Sequence, residues 1–308
     1  MAEPTPRALS EAARREGLIS IVAAYTMWGM FPLYFKALDA PPLEVLMHRV
    51  LWSAVFLASL LSVQRRWAWL GATFASPRVL LRSLLSASLL SVNWFVYIWA
   101  VAQGRVVDAS LGYFITPLLS VLIGVLSLGE RLRSVQRLAV LTAGGGVLWL
   151  TLQFGQLPWV GLSLAITFGS YGALRKTAAL GALEGLMLET LLMLPVSFSY
   201  LLWLVLSKES AFVSGELSLR VLLLSAGPLT SVPLLLFASG ARRIPLSLVG
   251  LLQYISPTLQ LLLGVLVWRE PFNQAKLLGY ALIWLALLIY SLEGVWVSRT
   301  QRRAGSAA

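Results

Sequence analysis

The chain has 308 residues, 58% hydrophobic and 12% charged, with a formal net charge of +11. A soluble domain carries about twice that charged fraction, so a water-soluble globular class is excluded. There is no cysteine, which excludes disulfides and thiolate metal sites and leaves the redox compartment open.

A short charged tail over 1–17 comes first. The apolar stretch behind it is too long for a signal-peptide core and reads as a retained first helix. Apolar runs near twenty residues then recur along the whole length, as helices crossing a hydrocarbon core of about 30 Å require. They lack period-two alternation, which selects helices over a barrel. Spanning helices are predicted over 18–37, 43–63, 80–101, 107–128, 135–152, 157–175, 183–206, 218–238, 244–267 and 274–297. The fold class expected is all-α integral membrane with ten transmembrane helices. A second tail covers 298–308, and the longest wet connection, near Ser207 to Glu216, is too short to fold alone.

Several of these helices carry polar or aromatic faces at three- and four-residue spacing. The first holds Tyr25, Trp28, Pro32 and Phe35; the third Asn93, Trp94 and Tyr97; the fourth Ser110, Tyr113, Phe114 and Pro117. The sixth holds Thr167, Ser170 and Tyr171, and the ninth Gly250, Gln253, Tyr254, Pro257, Gln260 and Gly264. Together they are able to wall a cavity for a small amphipathic solute; the plainer alternative for each aromatic is a packed core or an interfacial belt. Gly144-Gly145-Gly146 suits close helix contact in the fifth helix.

Charge inside the membrane is expensive and usually functional. The second helix holds Glu44, His48 and Arg49, and the seventh Glu184 and Glu189. Arg49 is a candidate for an anionic substrate group, and Glu189 or His48 for a coupling proton. The structural alternative is that Arg49 snorkels outward and the acids cap or anchor helix ends. Depth argues against a simple Arg49–Glu189 bridge, since each lies about six residues inside a helix start and those two starts are expected at opposite membrane faces. A lone histidine without cysteine makes no metal site, so none is expected, and no cofactor either. Glu130 and Glu270, at helix ends, read as interfacial ion pairs.

Sliding the chain on itself by 140 residues matches Gly29 with Gly169, Lys36 with Lys176, Glu44 with Glu184, and Met47 with Met187. Pro117 then meets Pro257, Gly124 meets Gly264 and Glu130 meets Glu270. The chain reads as a duplication, with repeats over 18–152 and 153–297 of five helices each. Five is odd, so the second copy runs upside down. The paired Pro117 and Pro257 are expected in helix interiors, as mid-membrane hinges or as static kinks.

With the N-terminus in the cytoplasm, seventeen Lys and Arg fall in inside segments and six outside: Lys36, Arg105, Lys208, Arg220, Arg269 and Lys276. Both termini are therefore predicted to be cytoplasmic. The positive charge serves topology, and no basic stripe on a soluble domain points to nucleic acid. Signatures for metalloproteases, nucleophile-elbow hydrolases and Walker loops are absent.

Some segments are specific: His48-Arg49 before Trp52-Ser53; Asn93-Trp94; Ala109 through Phe114; Gly129-Glu130-Arg131; Tyr171-Gly172 with Arg175-Lys176; Glu189-Thr190; and Gln253-Tyr254-Ile255 with Pro257-Thr258. In these the chain resembles the RarD-like branch of the EamA family, within the drug/metabolite transporter superfamily. The resemblance implies two inverted EamA repeats in the bacterial inner membrane, around a cavity bounded by helices 1, 3, 4, 6, 8 and 9. It fixes no substrate. The Gly-Glu ending of the fourth helix becomes Arg269-Glu270 in the ninth, a small departure. The expected function is secondary transport of a small organic metabolite or drug-like solute by alternating access in the lipid bilayer, driven by a proton gradient, with facilitated diffusion as the alternative. The rival class is an intramembrane enzyme or a non-transporting signalling or assembly subunit.

Overall fold

A computed structural model describes residues 11–128, 133–176, 178–241, 243–244, 248–249 and 252–305. Among them every regular element is helical: α1 Glu11–Lys36, α2 Pro42–Val63, α3 Trp69–Phe74, α4 Pro77–Ala102, α5 Val106–Leu128 and α6 Ser134–Phe154. There follow α7 Trp159–Lys176, α8 Ala182–Leu206, α9 Ala211–Ser214, α10 Leu217–Ala241, α11 Ile255–Leu262 running into a π segment Leu263–Val267, and α12 Gln274–Gly305.

Seven of these are long and apolar enough to cross a membrane by length and composition: α1, α2, α4, α6, α8, α10 and the Gln274–Gly294 part of α12. Shorter apolar stretches occupy Val106–Ser120 and Ile255–Val267. Local chemistry sets the ends. Proline stands at the start of α2 (Pro42) and α4 (Pro77), where its missing N–H costs nothing. Gly155, at φ 65°, stops α6 in the left-handed conformation that L side chains resist.

Eight helices close a ring by pairwise packing: α1 on α10, α10 on α2, α2 on α8, α8 on α4, α4 on α7, α7 on α5, α5 on α11, and α11 back on α1. The pair α6–α12 stands outside the ring, against α5. Burial follows this plan. Half of the apolar window of α2 lies inside the protein, against 22% for α6, which presents Leu141, Leu148 and Leu152 outward as a lipid-facing helix does. Small residues set the closest approaches. A methyl at Gly112 on α5 would stand 2.6 Å from the carbonyl of Gly161 on α7, and one at Gly227 on α10 would run into the backbone of Trp52 on α2. Of the triple glycine, Gly146 alone meets a neighbour, the backbone of Gly279 on α12; Gly144 and Gly145 face open space.

The stretch expected as one helix over 244–267 is broken. A turn at Gln253–Tyr254 precedes α11, so Pro257 lies in that helix's first turn, where the ring displaces no helical hydrogen bond. Pro117, its partner in the repeat, does lie inside α5. Glu130 and Gly250 fall outside the described residues.

Candidate functional site

The second turn of α2 carries Arg49 into the centre of the ring, 4% exposed. Its Nε donates to Thr230 Oγ1 on α10 at 2.7 Å. The guanidinium lies over Trp94 of α4, 4.0 Å from the ring centroid, with Phe31 and Phe35 of α1 at 5.7 and 5.5 Å. Tyr34, Tyr97 and Tyr113 stand close enough to act on it electrostatically. Among the described residues it pairs with no carboxylate. Aromatic faces are a partial answer to a buried cation, contributing about 2 kcal/mol when desolvated, but they leave its charge uncancelled.

The sequence-predicted Asn93, Tyr97 and Tyr113 join this cluster. Asn93 on α4 donates from Nδ2 to Thr167 Oγ1 at 2.9 Å and to the Leu164 carbonyl at 3.0 Å, tying α4 to α7. Its Oδ1 accepts from the Tyr113 hydroxyl at 3.4 Å. Tyr113 meets Tyr97 edge to face at 5.7 Å, and the buried Tyr97 hydroxyl has no hydrogen-bond partner among the described residues. An unsatisfied hydroxyl beside an unpaired guanidinium is an expensive combination to retain without a role.

His48 faces another way. The indole N–H of Trp52 donates to His48 Nδ1 at 3.2 Å, which places the proton of a neutral ring on Nε2. That nitrogen points at Glu44 Oε1, 3.9 Å away, and has no hydrogen bond among the described residues. Glu44, fully buried, accepts from Ser210 Oγ at 3.0 Å and from the backbone N–H of Ala211 and Phe212 at 3.1 Å. It thus fastens the start of α9, the anchoring role that was the structural alternative for the acids. Glu184 holds Arg66 in an ion pair between α8 and the chain after α2.

Glu189 forms a second buried station, 3% exposed on α8. Ser86 Oγ of α4 donates to Oε1 at 2.6 Å, the Tyr171 hydroxyl of α7 to Oε2 at 3.3 Å, and Arg175 of α7 approaches Oε1 at 3.7 Å. Arg175 also donates to the Gly181 carbonyl at 3.0 Å. Its guanidinium lies where a methyl on Gly185 would be, so that glycine is its seat. A cavity of about 70 Å³ reaches this station, lined by Arg82, Ser83, Ser86, Arg175 and Glu189. Arg49 and Glu189 are not bridged, in line with the depth argument.

Gln253 and Tyr254 lie apart from both stations. Tyr254 sits beside Ser291 of α12 and packs in the cluster of Phe114, Tyr280 and Leu287. The polar face of α11 reaches the ring instead through Gln260, whose Nε2 donates to the Trp28 carbonyl at 3.2 Å. Glu270, expected as an interfacial ion pair, makes none among the described residues. Its carboxylate accepts from the backbone N–H groups of Val106 and Val107, both at 2.8 Å, and so caps α5. Burial pushes its carboxyl above the ordinary carboxylate range, and those two N–H groups pull it back. Sequence reasoning missed Thr230, Ser86 and the role of Arg175; a lone Thr or Ser in an apolar helix gives little signal, and Arg175 was read as a topology charge.

The EamA-like transporter family model matches residues 15–152 and again 158–292. The chain belongs to the EamA-like transporter family. A Vibrio cholerae serotype O1 protein described as an uncharacterized transporter is 45% identical over 291 residues, covering 94% of this chain and 96% of that one. Protein RarD of Escherichia coli strain K12 is 41% identical over 290 residues, covering 94% and 97%. A solved crystal structure matches at TM-score 0.55 and 18% identity over 91% of this chain and 98% of the other, which speaks to fold alone. This EamA-like chain is thus a multi-pass membrane protein with bacterial relatives.

Proposed function

We infer that this protein is a secondary transporter that moves a small organic metabolite or drug-like solute across the bacterial inner membrane by alternating access. Ten spans make two inverted five-helix repeats, 18–152 and 153–297, with both termini in the cytoplasm. Two family matches, 15–152 and 158–292, support the division. So does the ring, since a shift of 140 residues exchanges its packings in pairs: α1–α10 with α7–α4, α2–α10 with α8–α4, α5–α7 with α11–α1.

One observation carries the alternating-access reading. The symmetry is incomplete across the ring: α1 packs on α4, and α4 on α5, while the corresponding pairs α7–α10 and α10–α11 make no comparable contact among the described residues. At the closed end Lys36 Nζ donates to the Val101 carbonyl at 3.3 Å, and Phe35 meets Tyr97 edge to face at 5.8 Å. Two copies in unlike shapes are what an alternating machine requires, because exchanging shapes moves the opening from one side to the other. On the proposed topology the closed side is outward. Arg49 receives the solute, Pro117 and Pro257 flank the moving segments, and Glu189 carries the coupling proton. The test is flux in proteoliposomes against a panel of amino acids, organic anions and chloramphenicol, with and without an imposed pH gradient. Gradient-driven flux is expected. Absence of flux for every solute, or a reporter behind Ala308 found in the periplasm, overturns the reading.

A further inference from the structure

The cavity at the ends of α4, α7 and α8 has an unbalanced charge. Arg82 and Arg175 both line it, against the single carboxylate of Glu189. Arg82 pairs with no acid among the described residues. The floor is buried, with Ser86 and Glu189 each 3% exposed, and the rim is open at Arg82, Ala178 and Ala179. Glu189 holds Arg175 loosely, at 3.7 Å, while Ser86 binds the same carboxylate oxygen at 2.6 Å. The space is roughly that of a few waters or one small acid group.

We propose that this cavity is an anion-binding vestibule, in which a carboxylate-bearing solute docks on Arg175 and Arg82 by taking the place of Glu189. This rests on the transport reading above and adds to it the chemical class of the solute. The exchange has a necessary partner. A buried carboxylate stripped of its cation is too costly to keep ionised, so Glu189 takes up one proton from the aqueous mouth as the anion binds. One anion and one proton are then bound together, and the station gains no charge. The groups facing Glu189 are few: Arg175 and Tyr171 from α7, and Ser86 from α4, with Arg82 on the same wall. Among the described residues α2 and α10 offer it no ion-pair partner.

Calorimetric titration of the full chain in detergent with benzoate, acetate and inorganic phosphate tests this, in paired buffers of different ionisation enthalpy that count protons. Saturable binding of at least one carboxylate is expected, with uptake of one proton. Affinity should fall about tenfold for each pH unit above the titration of Glu189, the slope of one linked proton. Glu189→Gln is expected to bind at least as tightly and to lose that slope, and Arg175→Gln to lose binding. Should Arg175→Gln fail to fold, Arg82→Gln at the exposed rim is expected to weaken binding severalfold. No saturable binding of any carboxylate, binding indifferent to both arginines, or a pH slope that survives in Glu189→Gln overturns the proposal. Anion binding without flux in proteoliposomes would sink the transport reading alone; flux that these anions neither join nor inhibit would sink the vestibule alone.

Discussion

A guanidinium in the low-dielectric centre of a helix ring is held there by what surrounds it. For Arg49 the surroundings are one hydroxyl and a set of aromatic faces, with no acid among the described residues. The planar group stacks on Trp94 as a lysine ammonium could not. Thr230→Val keeps the shape and removes the acceptor, and is expected to cost about 2 kcal/mol in thermal unfolding in detergent. Arg49→Ala and Glu189→Gln are each expected to abolish flux while the protein still inserts; normal flux in both would remove them from the mechanism. The candidates Arg49, Asn93, Tyr97 and Tyr113 could be found in the sequence because a charge, an amide or a phenol stands out in an apolar helix. Thr230 and Ser86 could not, since a helix can satisfy a lone hydroxyl through its own backbone, as Thr230 also does with the Ala226 carbonyl.

At the scale of elements, two of the acids serve helix starts. Glu44 ties down α9, and Glu270 caps α5 from 164 residues away. The Glu270 contact joins the end of α11 to the beginning of α5, two neighbours in the ring. Glu270→Ala leaves two N–H groups without acceptors and is expected to lower stability by about 1 kcal/mol, with Glu270→Gln losing less. Equal losses in the two variants would count against the capping role. Helix periodicity located the apolar segments well, because length and hydropathy are local properties. It could not place the break before α11. A proline in an apolar run is compatible with a kinked interior or with a first turn, and only the neighbouring chain decides which.

At the scale of the molecule, the ring is closed at one set of helix ends. Lys36 of α1 lies on the carbonyl of Val101 and near Gly104, beyond the end of α4. The chain has no cysteine, so engineered thiols work on a silent background. Lys36→Cys with Gly104→Cys, joined by a short thiol-reversible cross-linker, is expected to stop flux, and reduction to restore it. Undiminished flux through the cross-linked protein would mean that α1 and α4 do not part. The duplication could be read from matched Pro, Glu, Lys and Met at one offset. The asymmetry between α1–α4 and α7–α10 could not, because both copies encode the same contact and only one conformation makes it.

The repeat also places Arg49 and Glu189 at the same point of its two copies, which on the proposed topology face opposite ways. A geometric twin has thereby become an electrical opposite. A membrane held negative inside acts on each unit charge with about 2.3 kcal/mol per 100 mV, and it pulls a cation and an anion in contrary directions. On the proposed topology an exchange of shapes carries both positions the same way along the membrane normal, so the two opposed pulls cancel and the resting voltage leaves both doorways in balance.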